Sequence, residues 1–279
     1  MYAYRHLFHA GNFADVFKHA LLVRLLLSLA AKPKPYCYLD SHAGIGRYDL
    51  SHEWASKNSE YQDGIERLWS RPDLPALLEP YLAIVRQHNP DGVLRYYPGS
   101  PLLARSLLRP QDRAVLSELN EQDYGQLAEL FVRDRNILVQ RQDGYQTLKA
   151  QLPPSQRRAL VLIDSSFDRA GEYARLVQAL SDAHRRFATG IYVIWYPMMA
   201  AGAVSAFSQN LIDTGIRRIL KCELEVHPRS WSASLRGTGL IVVNPPFGFE
   251  AQAREIAGWL APVLQQSSGA AQVQCLVGE

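Results

Sequence analysis

Four places in this 279-residue chain set polar side chains directly after short apolar runs, and their residue types suit a bound ligand. "LDSHAGIGRY", Leu39 to Tyr48, carries Asp40 and His42 ahead of Gly44 and Gly46, two glycines that permit a tight turn close to a ligand. No third glycine opens a helix, so this is not the dinucleotide fingerprint, and a plain turn explains the pair equally well. In "SEL", Glu118 closes an apolar run. A carboxylate there can accept from both hydroxyls of a ribose, or can be an ordinary surface group. In "QRQDGYQTL", Asp143 can receive an adenine amino group while Gly144 lets the backbone approach the ring, although Asp-Gly is also a common turn. Together the three describe an adenosine with an extension. The fourth place is "LIDSSFD", whose Asp164 faces whatever lies beyond that ligand.

Such residues need strands to carry them. "GNFADVFKHALLVRLLLSLAAK" reads as a helix of about 20 residues. Asn12 is its N-cap, Asp15 follows three residues on, and Val16, Leu21, Leu25 and Leu29 form an apolar face before Pro33 and Pro35 end it. "YCYLD" is a short strand. Residues 50–96 then show helical runs, "YQDGIERLW" and "LPALLEPYLAIVRQHN", with prolines between and no obvious strand. They predict a small helical insertion subdomain within a core of residues 1–49 and 97–279. Afterwards "RAVLSEL", "NILVQRQDG", "RALVLIDSSF", "GIYVIWYP", "IRRILKCELEV" and "GTGLIVVNPPF" alternate with helices, and the run "AQVQCLV" follows the last helix. The pattern predicts an α/β fold, a doubly wound, mostly parallel sheet of seven strands with the insertion after the first. Sheets of this kind bind ligands beyond the C-terminal ends of their strands.

Composition fits this picture. Apolar residues make up 47% and charged residues 20%, as in soluble globular proteins, and a net charge of +3 permits nucleic-acid contact without indicating it. No run of about 18 uncharged apolar residues predicts a membrane span. The start "MYAYRHLFHAGNF" lacks an export signal, so a cytoplasmic location is expected. Cys37, Cys222 and Cys275 have no metal-ligand spacing, and the first two, in apolar runs, read as buried free thiols. His6, His9, His19 and His42 crowd the N-terminal part beside Lys18, without a cysteine or carboxylate partner at zinc spacing, so no metal is expected. Ser165 or Ser166 could in principle belong to a Ser-His-Asp hydrolase, but no Gly-x-Ser-x-Gly elbow surrounds them and no late histidine follows a suitable strand.

Nearly the whole chain resembles the RlmJ family, bacterial methyltransferases that modify an adenine N6 in large-subunit ribosomal RNA. The resemblance runs through "YRHLFHAGNFADVFKH", "YLDSHAGIGRY", "RYYPGSPLLA", "SEL", "DG", "GIYVIWYP" and "TGIRRIL". It implies a Rossmann-like class I core and S-adenosylmethionine as methyl donor. It further implies protein-free or early-assembly large-subunit RNA as substrate, handled by a monomer. The family's cofactor positions fall on His19, His42, Ser100, Glu118, Asp143 and Gly144, with Lys18 adjacent, Gly44 in the turn and Asp164 at the far end. Tyr4 falls on a substrate-contacting position; Arg5, His6 and Arg47 lie in the matched blocks and are expected to face RNA. Arg95, Arg105, Arg109, Arg113, Arg157 and Arg158 are further candidates for phosphate contact or ordinary surface.

Against the family's Asp-Pro-Pro-Tyr signature the chain has Asp-Ser-Ser-Phe. Asp164 and the Ser165 carbonyl would hold the two N–H groups of the target amine, and Phe167 would stack on the base, so these three are the expected catalytic residues. The substitution costs the φ restriction that prolines impose. A catalytically impaired RNA binder and a DNA adenine methyltransferase remain alternatives. "VVNPPF", Val242 to Phe247, matches the signature better, but the signature belongs after the fourth sheet strand, so Asn244 is expected to sit in a structural turn.

Overall fold

Asn12 starts the first helix, α1 (Phe13–Ala30), by accepting from the backbone N–H groups of Ala14 and Asp15 with its side chain. The computed structural model describes residues 6–168, 170–199, 201–231 and 235–279. After α1 come β1 (Cys37–Asp40), β2 (Arg47–Asp49), α2 (Glu53–Asn58), α3 (Glu66–Trp69), α4 (Glu79–Gln87) and β3 (Tyr96–Pro98). Next are α5 (Ser100–Leu107), β4 (Arg113–Ser117), α6 (Glu121–Leu130), β5 (Ile137–Gln140), α7 (Gly144–Gln151) and β6 (Ala159–Ile163). The chain continues through α8 (Glu172–Arg186), β7 (Ile191–Met198), α9 (Ala201–Asp213) and β8 (Ile219–Glu225). It closes with β9 (Gly237–Val243), α10 (Phe249–Leu264) and β10 (Ala270–Val277).

One sheet has the order β10-β8-β9-β7-β6-β1-β4-β5. The pairings give six strands one direction, with β9 and β10 opposed, so the sheet is mostly parallel as expected. Its strand count is eight rather than seven. The extra strand is the run "AQVQCLV", which pairs antiparallel with β8 from Ala270 to Val277. Its membership is decided by a partner some 50 residues earlier, beyond the reach of local pattern.

Burial alternates along the strands. Tyr38, Leu160 and Leu162 join one apolar cluster with α1, α5 and α10, while Cys37, Leu39, Val161 and Ile163 join another with α7, α8 and α9. All five residues of β6 are buried, as a strand covered on both faces must be. Each fully buried Leu or Ile there contributes about 1.5–3 kcal/mol. α1 departs from the expected one-faced pattern: it is enclosed nearly all round, and Asp15, Lys18 and His19 are buried with it. Residues 50–96 add no strand to the large sheet. β2 and β3 pair antiparallel at their base, and Ile65, Tyr81, Leu82 and Val85 share the cluster that holds α1. Among the described residues, no helix is long and apolar enough to cross a membrane.

Candidate active site

The sheet ends that point the same way deliver the polar residues to one cavity of about 590 Å³. His42 follows β1, Glu118 follows β4, Asp143 follows β5 and Asp164 follows β6. The opening lies between β1 and β6, where successive connections turn to opposite sides of the sheet. Gly44 takes a left-handed φ of 59°, and a Cβ on it would stand 2.4 Å from the Tyr48 hydroxyl. Its N–H donates to Glu118 at 2.9 Å, and the N–H of Asn120 donates to the other carboxylate oxygen at 2.8 Å. Burial raises the Glu118 pKa while these donors hold it down in part. Leu119, 54% exposed, offers an apolar face beside it. Below the turn, Asp40 accepts from Tyr38 and Ser100 at 2.8 and 2.7 Å, and burial pushes its carboxyl up to about 6.

A second group comes from α1. The Lys18 ammonium is 2.8 Å from Asp15 and 2.6 Å from Asp164, joining the helix to the end of β6 across 146 positions. Burial opposes its charge, but the two carboxylates outweigh this and raise the Lys18 pKa. Burial likewise opposes ionisation of Asp15, yet His6, Lys18 and His19 around it hold it well below the usual carboxylate range. His19 is driven well below its ordinary value by burial and by Lys18, and its Nδ1 lies 2.7 Å from the Tyr97 hydroxyl. His42 is also lowered, chiefly by burial, and packs edge-on to Tyr145 at 5.5 Å.

Residues 164–168 form a loop without regular structure. Ser165 is buried and donates its hydroxyl to Glu172, the first residue of α8, and Tyr145 donates to the same carboxylate oxygen. Ser166 is exposed and donates to Asp168 at 3.0 Å. Phe167 adopts a left-handed φ of 56°, uncommon for a residue other than glycine. Its ring meets Tyr173 and Trp195 edge-on at 4.9 and 5.8 Å.

Of the residues expected at the site, His6, Lys18, His19, His42, Gly44, Ser100, Glu118, Asp143, Asp164, Ser165 and Phe167 all line the cavity. Gly144 and Arg47 do not. A Cβ on Gly144 would stand 2.0 Å from the Ser41 carbonyl oxygen, so this glycine lets α7 pack on the turn after β1. Arg47, exposed at the start of β2, holds its guanidinium 5.1 Å over the Tyr96 ring. Tyr4 and Arg5 lie outside the described residues. Several other arginines serve the protein itself: Arg95 pairs with Asp49, Arg105 with Asp134 and Arg109 with Asp112, while Arg113 and Arg158 donate to backbone carbonyls.

Sequence reasoning gave Asp15 only a capping role and missed Tyr145, Glu172, Arg175 and Trp195 altogether, though all five line the cavity. Asp15 and Lys18, three apart in an apolar helix, carried a visible signal. The other four did not, because their partners lie on different elements. Asn244 follows β9, which runs against β7, so it sits at the opposite end of the strands from the cavity, beside the start of β7. There its amide donates to the carbonyls of Ala188 and Gly190 at 2.8 Å each. Among the described residues, no group of three or more His, Cys, Asp or Glu could hold a metal ion.

Comparison with known proteins gives the family. A family model described as "Ribosomal RNA large subunit methyltransferase D, RlmJ" matches residues 33–277. Ribosomal RNA large subunit methyltransferase J of Escherichia coli (strain K12) is 45% identical over 280 residues, covering 100% of both chains, so the N-terminal block that the family model does not reach is matched as well. The protein of the same name from Haemophilus influenzae is 45% identical over 265 residues, 95% of this chain and 94% of that one. A crystal structure of a Legionella pneumophila protein has a TM-score of 0.89 at 35% identity, covering 96% of this chain and 98% of that one. With its mostly parallel sheet, its Rossmann-like class I methyltransferase core and a match over most of its length, the chain belongs to the RlmJ family.

Proposed function

We propose that this chain transfers a methyl group from S-adenosylmethionine to the N6 of a specific adenine in large-subunit ribosomal RNA. The observation that carries the reading is the joint presence of Glu118, Asp143 and Asp164 in the wall of one cavity. Its volume, about 590 Å³, falls within the range of small-molecule sites. Glu118 suits a ribose, the apolar face of Leu119 and Asp143 suit an adenine, and the buried carboxylates around Lys18 suit a cationic extension. When bound, the cofactor supplies an electrophilic methyl on a positively charged sulfur.

The protein's part is to bind, orient and exclude water. Lys18 holds one oxygen of Asp164 and leaves the other to accept an N–H of the target amine. The Ser165 carbonyl serves the second N–H, and Phe167 offers its ring to the base. An adenine amine is a weak nucleophile, so orientation within a preorganised polar site is the main contribution. The amine lone pair would take the methyl as its bond to sulfur breaks, leaving a neutral thioether, and the nitrogen would then release one proton to water, so no strong base is required. The base must leave its stack to reach the cavity. The substrate is protein-free or early-assembly RNA, with Tyr4, Arg5, His6 and Arg47 on the RNA side.

Incubation with protein-free large-subunit RNA and methyl-labelled cofactor tests the reading. Label should appear as N6-methyladenosine at one position, mapped by mass spectrometry. Protein that binds the cofactor yet labels no RNA overturns the assignment, and label in DNA but not RNA would move the substrate to DNA.

A further inference from the structure

Glu172 is a carboxylate 5% exposed to solvent, at the N-terminal end of a 15-residue helix where the helix dipole favours an anion. It accepts two hydroxyls, from Ser165 in the loop after β6 and from Tyr145 at the start of α7. Arg175, one turn on, completes the group: it lies 3.9 Å from Glu172, 3.2 Å from Asp143 and 4.4 Å over the Tyr145 ring. The cofactor side of the cavity, at Asp143 and Tyr145, is thereby tied to the residue next to Asp164. Ser165 itself is only 6% exposed, while its neighbour Ser166 faces solvent. Only one of the two serines is thus anchored to the body of the protein.

We propose that Glu172 is a positioning residue for methyl transfer, which fixes the Asp164–Ser165 main chain through the Ser165 hydroxyl and so replaces the restraint that prolines would give this loop. The proposal rests on the methyltransferase reading above. A hydroxyl buried against a carboxylate is a strong, directional tether, since a charged acceptor makes the bond shorter and stronger than a neutral one. A loop so held keeps Asp164 at the distance set by Lys18 without any restriction of φ. Losing the tether leaves every group the reaction needs in place but lets the acceptors wander.

The test uses the full chain, with single-turnover methylation at saturating cofactor and protein-free large-subunit RNA, and cofactor affinity by calorimetry. Ser165→Ala is expected to lower the single-turnover rate roughly 10- to 100-fold, as for a misplaced acceptor, with cofactor affinity changed less than about 3-fold because the Ser165 hydroxyl donates to Glu172 and touches neither Glu118 nor Asp143. Glu172→Ala should lower the rate by a similar factor, and the double variant should be no slower than the slower single one, because both remove one tether. Glu172→Gln keeps an acceptor oxygen and should recover part of the rate. A purely structural role would lower the melting temperature and leave the rate per folded molecule unchanged. If Ser165→Ala turns over within about 2-fold of wild type, or the two losses multiply, the proposal fails; Ser165→Ala alone decides the matter if Glu172→Ala does not fold. A wild type that never methylates RNA removes the functional reading itself, and is recognised before any variant is compared.

Discussion

At the scale of single residues, the site depends on carboxylates that already have partners. Glu118 shows the consequence: its two oxygens hold the N–H groups of Gly44 and Asn120, so a ribose would add to an existing set of bonds. Glu118→Ala should therefore weaken S-adenosylmethionine binding by about 10- to 100-fold, through lost charge-assisted bonds and a looser turn, as calorimetry would show. Asp164 and Asn244 make a sharper contrast. Asp164→Ala should abolish transfer to RNA while leaving cofactor affinity largely intact. Asn244→Ala removes two amide bonds to Ala188 and Gly190 at the far end of the strands, so it should cost about 1–2 kcal/mol of stability and retain activity. A tritiated-methyl assay on both variants, normalised to folded protein, separates the two assignments; inactivity of Asn244→Ala with full activity of Asp164→Ala would reverse them.

At the scale of elements, close packing sets what each helix can present. α7 meets the turn after β1 at Gly144, where an added Cβ would lie 2.0 Å from a backbone oxygen that cannot rotate away. Gly144→Ala should cost about 1–3 kcal/mol and push α7 outward, weakening cofactor binding because Asp143 and Tyr145 flank it. Gly125, exposed in α6 with nothing within 4 Å of an added Cβ, makes the control. Gly125→Ala should stabilise by about 0.5–1 kcal/mol. Urea unfolding of both variants tests the pair, and equal shifts would show that the Gly144 contact relaxes freely.

For the whole molecule, the buried carboxylates act on stability in separate pH windows. Asp40 is raised from 3.8 to about 6, chiefly by burial, so the folded state holds its proton more tightly than the unfolded chain does. Below about pH 4 both states are protonated and the group is silent. Between about 4 and 6 the unfolded chain ionises first, and stability falls as pH rises, by up to roughly 3 kcal/mol. Asp15 has the opposite sign: its lowered pKa contributes stability above about 3.8 that is lost as pH falls through its folded value. Urea unfolding of wild type and Asp40→Asn across pH 4 to 6.5 should show the decline in the wild type and a flatter profile in the variant, whatever its absolute stability. Parallel profiles would mean that Asp40 ionises in the fold as readily as in the open chain.

Local pattern determined a good deal of this protein. Alternating apolar runs and helical periods specified a doubly wound sheet, the Asn12 cap specified where α1 begins, and their place after apolar runs marked Glu118, Asp143 and Asp164 as strand-end residues. Those signals are legible because period, capping and strand ends are properties of neighbouring residues. Chain order even separated Asp164 from Asn244, whose own four residues look the better match. Tertiary structure alone decided the rest. The eighth strand depends on a distant partner, α1 is charged yet buried because Asp164 arrives to meet Lys18, and Gly144 is needed for a packing contact with Ser41. The Ser165 hydroxyl has meaning only beside Glu172 and Tyr145, which reach it from two other helices. Hydrogen bonds and ion pairs act over a few ångströms, while Lys18 and Asp164 stand 146 positions apart, so folding had to bring them together before their chemistry could be read.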